Sequence, residues 1–260
     1  MRLLGLRCGG LATDMGLLLE GRPSGVQDVI PVMCFAVDTG NGVLVFDTGL
    51  HESCCGNGAA DHYGVLIQTF DPVCGRQALI DERLRQAGIG LDEVRWVTNS
   101  HLHFDHTGRN GVFAGATHLV RSCELAFARS RLTKPFGFIK DEIDTAESFL
   151  AGDGWDYDER HEVASGVVLI DTAGHTPGHQ ALEVTFRDGQ RFICIGDAAY
   201  TLEAVDQKRL TGRPADRDRA VATLEALREA SRAGAKLLTA HDIDQWRTTE
   251  DVTLLHASTP

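Results

Sequence analysis

Residues 99–108 read NSHLHFDHTG, and the run His101-Leu-His103-Phe-Asp105-His106 inside it constrains this chain more than any other segment. Imidazole and carboxylate are ligands that suit zinc and its neighbours, and four of them within six residues cannot all face one ion comfortably. Two ions resolve the crowding. On an extended segment His101 and His103 point the same way and can share one metal, while Asp105 and His106, past a bend, are free to address a second. A dinuclear site needs more ligands than this run holds, so the rest of the sequence has to supply them.

Four apolar runs do so. Residues 94–100 lead into His101, 167–172 lead to His175, 192–196 lead into Asp197, and 236–240 lead into His241. Each is a buried-strand pattern whose end delivers a metal-capable side chain. His175 lies in GHTPGH, Asp197 in GDAAY and His241 in AHD, where small neighbours let the backbone turn as a ligand leaves its strand. A carboxylate is the best bridging group, because its two oxygens can bind one ion each while its charge offsets their repulsion. That role is assigned to Asp197. Taken singly, His175 or His241 would more often be a hydrogen-bonded structural histidine; behind strands, and following the dense run, they read as ligands. His51, His62, His118, His161, His179 and His256 are assigned to structural or surface roles, with His179 nearest to an exception because it shares a loop with His175.

The remaining pattern is one of alternating short strands and helices, an α/β organisation layered around a common core. Residues 31–37 are apolar, 38–42 carry turn chemistry and 43–46 resume the sheet, which predicts a hairpin ending at Asp47. Residues 51–76 show no clear period and read as a long loop or partly ordered excursion. Residues 77–87 carry Ala78, Leu79, Leu84 and Ala87 at helical spacing before Gly88, which predicts a helix there, and Ala220, Leu224, Leu227 and Ala230 form an apolar stripe. Asp216 and Asp218 favour the start of that second helix, and Gly234 stops it. No repeat or low-complexity tract divides the chain, so residues 1–260 are expected to form a single domain.

Charge limits the partners. Lysine and arginine number 25 against 37 aspartates and glutamates, a formal −12, so phosphate backbones and anionic lipid are repelled and neither nucleic acid nor membrane is an expected partner. No apolar run approaches the roughly 18 residues that span a bilayer. Arg7 breaks the short apolar stretch of the N-terminus, which lacks the core of a secretory signal. The seven scattered cysteines, odd in number, make a poor disulfide framework, and Cys54-Cys55 read as ordinary thiols. These features point to the cytoplasm.

Asp47-Thr-Gly49 after an early strand, the His101–His106 run, His175 in GHTPGH, Asp197 and His241 together resemble the metallo-β-lactamase superfamily of metallohydrolases. The resemblance spans most of the chain and implies a four-layer αββα sandwich with the metals at one edge. It implies that His101, His103 and His175 bind one ion, that Asp105, His106 and His241 bind the other, and that Asp197 bridges them. Asp47 is implied as a carboxylate that supports the ligands from behind. Zinc is the expected metal, with cobalt, manganese or iron open to the same donors.

Two divalent ions at a spacing of about 3.5–4 Å polarise an acyl oxygen and make water nucleophilic near neutral pH, which is hydrolytic chemistry. Asp105 is then also a candidate to shuttle a proton to the leaving oxygen. Tyr200, three residues after Asp197, can aim its phenol at a substrate carbonyl. Asp-x-x-Tyr, TPGHQ at 176–180 and His241-Asp-Ile-Asp244 are similar to the N-acyl homoserine lactonases of the superfamily, in which the matching tyrosine contacts the lactone. Pyridoxolactone and γ-butyrolactone hydrolases share much of that pattern and stay open as alternatives. Glyoxalase-like thioester hydrolases need a C-terminal helical extension, whereas 19 residues follow His241. Flavin-coupled redox members need a second domain, and a non-catalytic ligand-binding module would have lost a ligand or Tyr200. A neutral lactone is the expected substrate, and the resemblance implies a homodimer. Tyr63, Phe70, Phe104, Phe136, Phe138 and Trp155 are candidates to line an apolar acyl groove.

Overall fold

A computed structural model describes residues 1–132, 137–148 and 159–258. Strands β1 (Arg2–Asp14), β2 (Gln27–Asp38), β3 (Val43–Phe46), β4 (Asp71–Val73), β5 (Val94–Thr98) and β6 (Thr117–Leu119) belong to one sheet. Strands β7 (Arg160–Ala164), β8 (Val167–Asp171), β9 (Gln180–Thr185), β10 (Arg191–Cys194) and β11 (Lys236–Leu238) form a second, and β12 (Val252–Ala257) returns to the first beside β1. The strand orders are β12-β1-β2-β3-β5-β6, with β4 paired to β1, and β11-β10-β9-β8-β7.

The period of two in the strands creates the layers. In β2, Met33, Phe35 and Val37 enter the core between the two sheets, while Cys34 and Ala36 face the opposite side. In β10, Phe192 and Cys194 meet that same core from the second sheet, and Ile193 faces outward. Each outer face is covered by a helix. Ile80 and Leu84 of the helix Ile80–Gln86 pack under the first sheet, and Leu224 and Leu227 of the helix Arg217–Arg232 pack under the second. The result is the four-layer αββα sandwich the sequence predicts. Removing one of the large buried side chains, Phe35 for example, should cost about 3–5 kcal/mol through lost transfer energy and the cavity left behind.

Strand direction decides where the chemistry collects. β3 and β5 run parallel, so the segments that follow them, Asp47 and residues 99–106, emerge at one edge of the first sheet. In the second sheet β8 and β10 are each antiparallel to β9, and β11 is parallel to β10. The ends of β8, β10 and β11 therefore share an edge too, and they carry His175, Asp197 and His241.

The hairpin forms as predicted, with Phe35 opposite Phe46 and Asp38 opposite Val43. The helix Arg217–Arg232 starts at Asp216, whose side chain accepts from the Arg219 N–H at 3.0 Å, and Gly234 beyond its end has φ +95°. Three segments differ from expectation. β1, unmarked by alternation, is buried on both faces because a layer covers each, with Leu3 in the intersheet core and Leu4 and Leu6 on the helix side beside Ile80 and Leu84. Residues 51–76, expected as a long loop or partly ordered excursion, hold the short helix Ala59–Tyr63, 3₁₀ turns at Glu52–Cys55 and Gly64–Gln68, and β4, so they are an ordered excursion rather than a loop. The helix expected over 77–87 begins only at Ile80, because Leu79 is extended after a 3₁₀ turn at Arg76–Ala78. Among the described residues no helix is long and apolar enough to cross a membrane.

Candidate metal centre

The edge shared by the strand ends gathers two sets of donors. The ligand atoms of His101, His103, His175 and Asp197 all lie within 4.8 Å of one another, as do those of Asp105, His106 and His241. In the first set His103 Nδ1 is 2.8 Å from His101 Nε2 and 3.2 Å from His175 Nε2, so three ring nitrogens converge on one point. Asp197 stands between the sets. Its Oδ2 is 3.6 Å from His101 Nε2 and 3.4 Å from His175 Nε2, while its Oδ1 is 3.3 Å from His106 Nε2 and 3.0 Å from His241 Nε2. Asp105 Oδ2 completes the second set at 3.6 Å from His106 Nε2 and 3.5 Å from His241 Nε2.

Local backbone geometry aims these atoms. Residues Phe104–Thr107 form one helical turn, which carries Asp105 and His106 round to the second set while His101 and His103 precede it. Gly196 turns the chain out of β10 with φ +48°, and a Cβ there would sit 2.7 Å from Ser100 Cβ, so only glycine lets Asp197 reach this place. Asp47 holds φ +63°, a conformation that costs a non-glycine residue energy. The strained turn sends its carboxylate under the ligand loop, where it accepts from Ser100 N at 2.6 Å, Ser100 Oγ at 2.9 Å and His106 Nδ1 at 2.9 Å.

Hydrogen bonds behind the donors fix their tautomers. His106 donates from Nδ1 to Asp47, His241 donates from Nδ1 to the Pro31 carbonyl at 2.8 Å, and His101 Nδ1 meets Ser100 Oγ at 3.0 Å. Since Ser100 Oγ donates to Asp47, it accepts from His101. Each ring is thereby left with an Nε2 lone pair directed into the site. His179 is buried beside them without joining either donor set: its Nε2 accepts the Asp197 N–H at 3.1 Å, and its Nδ1 is 2.8 Å from Thr172 Oγ1.

Two buried donor atoms, His106 Nε2 and Asp197 Oδ1, have no hydrogen-bond partner among the described residues although they face each other. Buried polar atoms are rarely left so, and a cation between the sets would satisfy both. Charge reads the same way. Burial pulls His101 and His175 well below the ordinary imidazole range, which keeps their nitrogens as neutral ligands. Burial also opposes charge at His106, but the carboxylates of Asp105, Asp47 and Asp197 outweigh it and hold that ring well above the usual value. Asp197 resists burial likewise, with His241 and His106 drawing it well below the carboxylate range. The carboxylates attract positive charge that divalent ions can supply, so the donor set fits a metal pair.

Several positioning residues carry no signal in the sequence. Glu124, buried in the helix Ser122–Ser130, accepts from Leu102 N at 3.0 Å and Gly178 N at 3.1 Å, strapping the loop of His101 and His103 to that of His175. Glu142 accepts from Thr107 Oγ1 at 2.6 Å and from His62 Nε2 at 2.9 Å, anchoring the turn that carries Asp105 and His106. Gln180, in the quoted TPGHQ, donates to Thr98 Oγ1 and to the Asn99 carbonyl, each at 2.8 Å.

A cavity of about 300 Å³ opens onto the donors, walled by Leu11, Leu18, Ile30, Leu66, Phe70 and Phe138 among others. Tyr200 lines it, with its ring 5.3 Å from that of His241 and 6.1 Å from that of His175. Phe70, Phe104 and Phe138 lie on the wall as expected, but Tyr63 does not. It is buried behind Phe104, ring to ring at 4.8 Å, and its hydroxyl accepts from the His51 N–H at 2.9 Å. Burying that phenol in the core is possible because the hydroxyl finds a backbone donor. Phe136 and Trp155 lie outside the described residues.

The sequence profile described as Metallo-beta-lactamase superfamily matches residues 69–240. The chain belongs to this superfamily. Among metallo-beta-lactamase superfamily relatives, the N-acyl homoserine lactonase AttM of Rhizobium radiobacter is 30% identical over 254 residues, covering 95% of each chain. The N-acyl homoserine lactonase AiiA of Bacillus thuringiensis subsp. kurstaki is 30% identical over 223 residues, 83% of each. A solved metallo-beta-lactamase-fold structure, an N-acyl homoserine lactone hydrolase with the product N-hexanoyl-L-homoserine bound at its catalytic metal center, matches with a TM-score of 0.82. It shares 25% identity and covers 96% of both chains.

Proposed function

We propose that this chain is a dinuclear metal-dependent lactonase that hydrolyses the ester bond of N-acyl homoserine lactones, and so quenches quorum signals in a bacterium. The observation that carries the reading is the convergence of two donor sets, Asp197 between them and Tyr200 on one apolar-walled cavity. Similarity to AttM and AiiA along most of the chain supports it. His101, His103 and His175 would hold one ion, Asp105, His106 and His241 the other, and Asp197 both. Zinc is the first candidate, with cobalt, manganese and iron accepted by the same donor types. Two bound ions would supply Lewis-acid polarisation of the lactone carbonyl and an activated water.

The chain's own residues do the rest. The apolar wall takes the acyl chain and excludes water from it. Burial raises Tyr200 well above the ordinary phenol range, helped by the charges of Asp197 and Asp105, so at neutral pH it keeps its proton and donates to the carbonyl oxygen as negative charge develops there. Asp105 collects the proton from the attacking water and passes it to the leaving ring oxygen. The whole of residues 1–260 would act as one hydrolase domain, and the scattered, odd-numbered cysteines, which make a poor disulfide framework, support the cytoplasm as its compartment.

Metal-loaded protein incubated with N-acyl homoserine lactones, with released acid titrated, tests the reading. Turnover should exceed that of His106→Ala by orders of magnitude, and Tyr200→Phe should lower it on the order of 10²-fold. No acid above the His106→Ala control would remove the assignment. Faster opening of a pyridoxine-derived lactone or γ-butyrolactone would make the enzyme a metabolic lactonase instead.

A further inference from the structure

Residues 51–76 supply Leu66 and Phe70 to the cavity wall, and Phe70 lies 6.2 Å, ring to ring, from Phe104, the neighbour of Asp105. A cysteine stands near each end of this excursion, Cys55 and Cys74. Their sulfurs are 4.0 Å apart although 19 positions of chain separate them.

Each sulfur sits on a held backbone. Cys55 ends the 3₁₀ turn Glu52–Cys55, which His51 caps by accepting the Ser53 N–H at 3.2 Å. Cys74 follows β4, where Val73 pairs with Gly10 of β1. Gly9 has φ +100°, and a Cβ there would lie 3.3 Å from Cys74 Cβ, so β1 passes close beside that residue. Both cysteines are half-buried, which leaves them open to a small solute. Cys8 and Cys34 also meet, but both are fully buried, where a soluble oxidant does not reach them.

We propose that Cys55 and Cys74 are a reversible redox site, a dithiol that a low-molecular-weight disulfide converts to a clasp across the excursion that walls the cavity. Burial and the neighbouring Cys55 sulfur raise the Cys74 thiol above its ordinary range, so the first attack falls to Cys55. Cys55 Sγ bonds to one sulfur of the small disulfide, and the other sulfur leaves as a thiol. Cys74 Sγ then attacks Cys55 Sγ and the second small thiol departs. The two protons that the cysteines lose are carried by the two departing thiols. The cysteine sulfurs, now 4.0 Å apart, close to about 2.0 Å. Joined at both ends, the excursion has less freedom to move Leu66 and Phe70 aside for an acyl chain. That consequence rests on the lactonase reading above, whereas the disulfide itself does not.

Metal-loaded protein equilibrated with oxidised glutathione should yield, after digestion, a peptide that joins Cys55 to Cys74, and excess reduced glutathione should reverse the link. Tm should rise by about 5 °C on oxidation, because the closed loop restricts the unfolded chain. KM for a long-chain N-acyl homoserine lactone should rise at least about twofold, with kcat and the KM of a short-chain lactone near their reduced values. Cys55→Ser and Cys74→Ser should match the reduced wild type in either form of glutathione. A glutathione retained on Cys55 with no joined peptide, or Tm and KM responses that survive Cys55→Ser, overturns the proposal. So does a joined peptide with unchanged KM in a protein that opens the lactone. If the reduced protein opens no lactone, the lactonase reading falls, and the joined peptide and Tm still decide the redox site.

Discussion

His179 Nε2 accepts the main-chain N–H of Asp197 at 3.1 Å, so a histidine outside both donor sets fixes the backbone of the carboxylate that stands between them. With Nε2 accepting, the neutral ring carries its proton on Nδ1 and donates it to Thr172 Oγ1 at 2.8 Å. His179→Ala should leave a buried N–H unpaired, cost about 1–3 kcal/mol in denaturant unfolding and weaken metal retention. Unchanged stability and metal content would show that Asp197 is held by its ligands alone.

Asp47 supports His106 and Ser100 from one strained position. Asp47→Asn keeps the size and tolerates φ +63°, but it places an amide N–H against donors that now meet a carboxylate. Metal affinity should fall about 10–100-fold, read by competition with a chromophoric chelator, with little change in secondary structure by circular dichroism.

Chelation separates the metal from the fold. Removing the ions should abolish lactone opening and lower Tm, because ligand binding to the native state alone stabilises it. Zinc or cobalt added back should restore both. A Tm insensitive to chelator would argue against ions in this site.

His118, on β6 and away from the donors, gives a pH prediction. Burial depresses its pKa, with the Phe113 carbonyl pulling weakly the other way. The unfolded chain therefore takes up the proton near pH 6.5 and the native state only at lower pH, so stability falls as pH drops below about 6.5, by at most about 1.4 kcal/mol per unit. Compared in the metal-free protein, His118→Gln should show a shallower acid-side loss than wild type. Parallel curves would place the titration elsewhere.

Much of the fold was legible. The hairpin around residues 38–42 announces itself through turn residues between apolar runs, and the helix Arg217–Arg232 through its stripe and Asp216 cap. β1 was not legible, because alternation marks a strand with one wet face and Leu3, Leu4 and Leu6 are all buried. The short turns and the Ala59–Tyr63 helix within 51–76 are too brief to carry a period. Tyr63 was misplaced on the acyl wall since aromatic residues look alike in sequence whether they face a cavity or pack behind Phe104.

For the centre itself, the sequence by itself determined the chemistry: imidazoles and carboxylates in the His101–His106 run and behind three further strands, a set with few uses other than binding cations. Asp197, read from the sequence as the bridging carboxylate, turns one oxygen to each set, and the tertiary structure alone decided that His179, Ser100, Glu124 and Glu142 hold the donors from behind. The reason is physical. Ligand type is a property of a residue, whereas a hydrogen bond or a shared wall is a property of two residues that strand direction and packing bring together, as with His241 and Pro31 across 210 positions of chain.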